Sequence, residues 1–134
     1  MPIQPLYAAR NIDFAPTLNF DYRGGPLPLT GATISMQVRL YPGAAGTPLA
    51  ADASADFTDS VHPDLEPGSA EDWRRLIVTP SIGRAALAAL PGQNTPDPGD
   101  PQTFAYEIKI TYADDMQDSL LSGEFILSAG VDAT

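Results

Sequence analysis

From Phe104 to Tyr112 every second residue is large and apolar (Phe104, Tyr106, Ile108, Ile110, Tyr112), while Glu107, Lys109 and Thr111 between them are polar. After the acidic, turn-like stretch Ala113–Asp118 the alternation resumes at Leu121, Gly123, Phe125 and Leu127. Period-two patterning on both sides of a polar turn predicts an antiparallel hairpin with one buried face. Ile34, Met36, Val38 and Leu40 alternate with Ser35, Gln37 and Arg39 and predict another strand within Ala32–Tyr41. Leu18, Phe20 and Tyr22 predict a third. Ile12 and Phe14 come before it and Pro16 breaks the ladder, so this region reads as an edge strand or as two short strands separated by a bend.

Weaker patterns fill the middle of the chain. Pro48–Ala50 and Ala55–Thr58 read as short strands anchored by Leu49 and Phe57. In Trp73–Thr79 the apolar residues are contiguous, so β-branched content and the following Pro80 argue for a strand. Thr79–Pro80 then reads as an N-cap followed by proline at the first helical position, and Ile82, Ala85, Ala86, Ala89 and Leu90 repeat at helical spacing until Pro91–Gly92. A helix this short requires packing on a sheet to persist. Arg23–Pro26 and Pro42–Gly46 read as turns, and His62–Ser69 and Gln93–Gln102 as loops.

These elements predict an all-β protein: an antiparallel β-sandwich, Ig-like or jelly-roll-like, with one short α-helix near 80–90. Residues 1–10 read as an N-terminal arm and 11–134 as a single sandwich domain. Burying each large side chain of the Phe104–Tyr112 face contributes about 1.5–3 kcal/mol, as an upper bound. Such a face needs a second apolar layer, and the Ile34–Leu40 and Leu18–Tyr22 faces are the candidates. The Ala-rich helix then caps one open end. An up-and-down barrel is the alternative closure.

Composition narrows the function. The chain has 134 residues, enough for one core without metal or disulfide staples. Its formal net charge is −10 and its seven cations are scattered, which argues against nucleic-acid binding. The periodic runs are too short for a membrane helix. With no cysteine, thiolate metal sites, disulfides and cysteine nucleophiles are excluded. The N-terminus lacks the basic and apolar regions of a secretory signal, so synthesis and folding in a cytoplasm are expected. Fourteen Pro and eleven Gly, placed where strands should end, suit many short elements.

Candidate chemistry is sparse. The lone His62, before Pro63 in a polar loop, has no neighbours that suggest a triad or a metal site. Carboxylates are numerous, and a glycosidase-type pair would need a deep cleft that this scaffold gives little room to build. Asp114–Asp118 offers oxygens for Ca²⁺ but lacks the glycine and distal glutamate of an EF-hand loop, and reads as a turn. Gly43–Gly46 is not a phosphate cradle, since no Lys-Ser/Thr and no helix follow it. Trp73, beside Arg74 and Arg75, reads as a sheet-covering side chain in preference to the alternative, an exposed contact residue. No catalytic residue, metal ligand or cofactor is predicted.

The order of these pieces resembles a known pattern. Asp21–Ala32 (DYRGGPLPLTGA) followed by Met36-Gln37-Val38-Arg39 is similar to small β-sandwich virion proteins of tailed bacteriophages. The relatives in question are the N-terminal domain of siphophage baseplate upper proteins and domains that anchor fibres. Tyr106-Glu107-Ile108, Gly123–Leu127 and Gly130-Val131 match the closing strands of that pattern, so the likeness spans Ile12 to Val131. The loop Asp52–Asp72 is longer and more acidic than the pattern, and no receptor-binding domain follows within the sequence. The resemblance implies a non-enzymatic structural subunit of the virion, made in the host bacterial cytoplasm. It would be a tail, baseplate or head-periphery adaptor, or a fibre anchor. Its partners would be other virion proteins, in a homo-oligomer or ring, with neither nucleic acid nor membrane. Pro-rich segments lose little entropy on ordering. The expected contact segments are therefore the arm, with Pro2, Pro5 and Tyr7, and the loop with Pro96, Pro98 and Pro101. Deletion of Met1–Leu6 is expected to leave the domain folded. The alternative reading is a carbohydrate-binding or adhesin-like β-sandwich module, which requires Phe14, Tyr41 and Trp73 to be exposed together. A small hydrolase is the weakest reading.

Overall fold

Eight strands and one short helix make up the described part of the computed structural model, residues 3–23, 27–61, 73–91, 97 and 99–131. They are β1 (Leu6–Ala9), β2 (Leu18–Arg23), β3 (Thr33–Arg39), β4 (Ala50–Asp52), β5 (Asp56–Val61), β6 (Trp73–Thr79), α1 (Arg84–Ala88), β7 (Gln102–Thr111) and β8 (Gln117–Ser128). One sheet has the order β1-β8-β7-β3-β4 and the other β2-β6-β5. The fold is the expected all-β sandwich; two separate sheets, with no strand among the described residues hydrogen-bonded to both, replace the barrel alternative. Every strand pairing is antiparallel except β1 with β8, which is parallel.

The hairpin β7–β8 carries the larger sheet. Ile108 lies opposite Leu121 and Lys109 opposite Ser119, so Leu120 is an extra residue on β8. This bulge sets the face. Without the one-residue slip Phe125 and Leu127 would lie on the outer side of the sheet; with it they join Leu121, Phe104, Ile108 and Ile110 in the core. The turn is closed by Tyr112 N–H donating to the Met116 carbonyl at 2.8 Å, with Asp115 at φ 68°. The Asp114 carboxylate accepts the Met116 N–H at 3.0 Å, as an Asx turn requires.

Four expectations are corrected. The Ile34–Leu40 strand is not a facing layer: β3 is hydrogen-bonded to β7, Ile34 opposite Ile110 and Val38 opposite Tyr106, so it extends the same sheet. Periodicity identifies a buried face but not whether its partner lies beside it or across the core. The facing layer is Leu18, Phe20, Leu76 and Val78 from β2 and β6. Leu40 leaves the alternation and is exposed, because β3 ends at Arg39. The helix starts later than expected, with Gly83 as N-cap, since Pro80 is buried at the end of β6 and Ser81 N–H donates to Asp52. Leu87 is its buried residue, with Ile82 before it and Leu90 after it also buried, while Ala85, Ala86 and Ala89 are exposed. Finally, residues 1–10 are not merely an arm ahead of the domain. Leu6 is buried and β1 pairs along Phe125–Ser128, so deletion of Met1–Leu6 would remove part of the sheet.

Arg10 is buried despite its charge. Its guanidinium donates to the carbonyls of Leu90 (2.6 Å), Pro91 (3.0 Å), Leu87 and Ala88 (both 3.4 Å). These include the carbonyls that the end of α1 leaves without helical partners. A cation there also meets the negative end of the helix. At the other end Asp13 accepts the Arg84 N–H at 2.7 Å, and Phe14 bridges to Ile82. The chain before β2 therefore clamps α1 at both ends. Phe14 then packs edge-on against Phe125, with centroids 5.2 Å apart.

Candidate functional site

Strand alternation that sends Phe104, Ile108 and Ile34 inward sends their neighbours outward. The outer face of the larger sheet is thus floored by Ser35, Gln37 and Arg39 of β3, Ala105, Glu107 and Lys109 of β7, and Ser122 and Glu124 of β8. The strand register arranges them in rows: Ser35–Lys109–Ser119, Gln37–Glu107–Ser122 and Arg39–Ala105–Glu124. Small residues at Ala105 and Ser122 leave a hollow between the longer side chains. The hollow opens into a groove of about 870 Å³, walled on one side by Leu40, Tyr41 and Pro42 and on the other by Ile3. These walls are exposed apolar groups: Leu40 54%, Tyr41 57% and Ile3 79%.

The walls are held by bonds within the chain. Arg39 donates to the carbonyls of Gly46 (2.7 Å) and Ala44 (3.0 Å) and to Gln37 Oε1 (3.0 Å), which fixes the β3–β4 loop beside the floor. On the opposite side the Ile3–Pro5 segment lies on β8 through Gln4 N–H to the Ser122 carbonyl at 2.9 Å. Gly123 makes that approach possible: its φ is +149°, and a β-carbon there would sit 2.6 Å from the Gln4 carbonyl oxygen. Lys109 reaches Gln117 Oε1 at 3.4 Å. The carboxylates of Glu107 and Glu124 carry no hydrogen bond or ion pair among the described residues.

A second polar constellation lies at one end of the smaller sheet. Arg74 and Arg75, adjacent in sequence, fall on opposite faces. Arg75 bonds Asp21 on the outer side at 2.8 Å. Arg74 points inward to Asp59 at 3.0 Å, and the Tyr22 hydroxyl donates to Asp59 Oδ1 at 2.7 Å. Burial, then the bond to Asp59, pushes the Tyr22 hydroxyl above its usual pKa; the bonds to Tyr22 and Asp59 raise Arg74. All three groups are committed to one another, so the cluster closes the end of the core and leaves no group poised to react.

The expected contact residues are placed in part. Pro2, Pro96 and Pro98 lie outside the described residues, as does His62. Pro5 and Pro101 are exposed, and Tyr7, 69% exposed, lies on the outer side of β1 in one row with Ile126 and Thr103. Tyr7 and Pro101 therefore share one end of the larger sheet. The aromatic platform of the module reading does not form: Phe14 is buried at 6%, Tyr41 follows β3 in one sheet and Trp73 opens β6 in the other. Trp73, expected to cover a sheet, is 37% exposed, with the Arg23 guanidinium 5.7 Å above its ring. No three His, Cys, Asp or Glu among the described residues come together as a metal site.

Sequence reasoning missed Arg10, the Tyr22–Asp59–Arg74 cluster and the groove. Parity offered two signals: Asp59 is in step with Phe57, and Gln37, Arg39, Glu107 and Lys109 are out of step with core residues. Arg10 gave none. No protein-family model matches the chain, and no curated protein matches it in sequence.

Proposed function

We propose that the protein is a non-enzymatic structural subunit of a tailed-phage virion, a tail, baseplate or head-periphery adaptor or fibre anchor working through protein–protein contacts. The observation that carries this reading is the outer face of the larger sheet, which no other element among the described residues covers. Its floor is built from the segments that carry the resemblance: Gln37 and Arg39 of β3, Glu107 of β7, Gly123 and Glu124 of β8. The floor is rigid, because each residue sits on a paired strand, and its walls present apolar surface to solvent. Such a combination suits a complementary protein surface better than a reaction centre. The carbohydrate-module alternative loses its aromatic platform to the burial of Phe14.

The test is association with particles. Expressed with an epitope tag from the locus that encodes it, the protein should sediment with assembled virions through a density gradient and survive washing in moderate salt. Recovery only in the soluble fraction, while particles form normally, would sink the proposal.

A further inference from the structure

Strand β2 is an edge strand with room beside it. It lies at the outside of the β2-β6-β5 sheet, and its pairing with β6 runs without a shift from Leu18 opposite Val78 to Arg23 opposite Trp73. Exposed sheet edges are ordinarily blunted by shortness, proline, lysine or a bulge. The edge strands β1 and β4 of the larger sheet have four and three residues, whereas β2 has six and carries none of those devices. Among the described residues no backbone group bonds to the outer edge of residues 18–20.

A groove of about 420 Å³ runs along that edge, lined by residues 17–21, by Gln4 and by Leu121. The inward side chains report the same gap. Leu18 and Phe20 are only half-buried, whereas their partners across the ladder, Val78 and Leu76, are 0% and 1% exposed. All four share one face, so the difference comes from the missing neighbour on the far side of β2.

The chemistry of this slot specifies what fits it. Edge N–H and C=O groups at strand spacing are matched in full by another extended backbone. Asp21 is the one charged group in the lining, and Arg75 bridges it at 2.8 Å. The slot is therefore electrically neutral, with Leu18, Phe20 and Leu121 as its apolar surface. A second copy's β2 is a poor occupant. Gln4 and Leu121 place β8 and the segment before β1 along the slot, so the larger sheet continues past β2 on this side. A copy approaching edge to edge would bring its own overhanging sheet into the same space; a lone strand brings none.

We infer that the open edge of β2 accepts one extended, uncharged segment of a different polypeptide. The segment adds a fourth strand to the smaller sheet and sets alternate apolar side chains against Leu18, Phe20 and Leu121. Backbone bonds supply the affinity, and the alternation supplies the register. The contact is separate from the outer-face groove of the assembly reading and does not depend on it.

The experiment titrates the isotope-labelled chain with a soluble peptide of alternating valine and threonine, followed by NMR. The amides of residues 18–20 should shift, and exchange should slow at those whose N–H points outward, while Lys109 on the other sheet stays unmoved. Affinity should be insensitive to salt, because the slot is neutral. The same peptide N-methylated throughout keeps the apolar side chains and loses the backbone donors, so it should bind at least about ten-fold more weakly. Equal binding of the two peptides would reduce the site to an apolar groove and overturn the inference. Shifts at residues 18–20 on diluting the chain alone would give the edge to a second copy. Exchange already slow at all three in the free chain would give it to another part of the same chain. Either result also overturns the inference, and neither touches the assembly reading, which rests on the other sheet.

Discussion

Tyr106 and Gly123 lie opposite each other on β7 and β8, and the space the glycine leaves is filled by the backbone of Gln4, whose carbonyl accepts the Tyr106 hydroxyl at 2.5 Å. One cross-strand pair thereby docks the N-terminal segment on the sheet. The glycine supplies room and a backbone conformation, and the tyrosine supplies the bond.

Gly123→Ala should therefore destabilise the protein by about 2–4 kcal/mol, combining a positive φ that a β-carbon disfavours with displacement of Gln4. Urea denaturation measures it. Amide exchange should also quicken at Gln4 while remaining slow at Ile108. A loss below about 0.5 kcal/mol would mean that the segment does not pack there in solution.

Alkaline pH should act through the same tyrosine. Burial pushes the Tyr106 hydroxyl from its usual value of 10 up to about 12, and burial raises Tyr22 and Tyr112 as well. A group whose pKa is raised by folding contributes fully below its unfolded pKa, so stability should be unaffected by these groups below about pH 10. It should then fall as pH rises toward 12, where the unfolded chain ionises first. Denaturation midpoints taken across that window, with tyrosinate absorbance, follow it. Tyr106→Phe should lose about 1 kcal/mol at neutral pH and show a shallower alkaline decline. An identical decline would place the titration elsewhere.

Arg10 is the third point of leverage. Arg10→Met should cost about 2–4 kcal/mol, because it leaves the carbonyls around Leu90 and Pro91 without a donor. Arg10→Lys should recover only part of this. The Arg10 guanidinium reaches its acceptors through both Nη1 and Nη2, whereas an ammonium is a single point. Burial also lowers the pKa of the guanidinium, yet an arginine stays charged at any pH the fold survives. Thermal denaturation of the three proteins checks the order, and full rescue by lysine would contradict the fork geometry.

The hairpin was legible because Phe104–Ile110 alternates without interruption, and one uninterrupted alternation defines a face. The placement of Ile34–Val38 beside it rather than across from it was not legible, because both arrangements bury the same side chains. β1 escaped notice for a different reason. Leu6–Ala9 is four residues with one buried leucine, too short for a period to register, and its pairing is with the far end of the chain. The groove was half legible: outward polar positions follow from parity, but the hollow depends on Ala105 and Ser122 coming into adjacent rows, which only the register determines. Helix α1 shows the limit of spacing arguments. Alanines at helical intervals mark no face, and the leucines decide which side is buried.

The parallel pairing of β1 with β8 also has a consequence for biosynthesis. Leu6 belongs beside Phe125, which is synthesised only after β2 to β7 have been made. Until β8 emerges, the opening segment has no strand to join, and Arg10 must wait for the end of α1 before it can be sheltered. The larger sheet can be completed only once β8 has been synthesised. A pause or a fusion that delays the final strand leaves the first one exposed for longer, with its bonding edge open to any neighbouring chain.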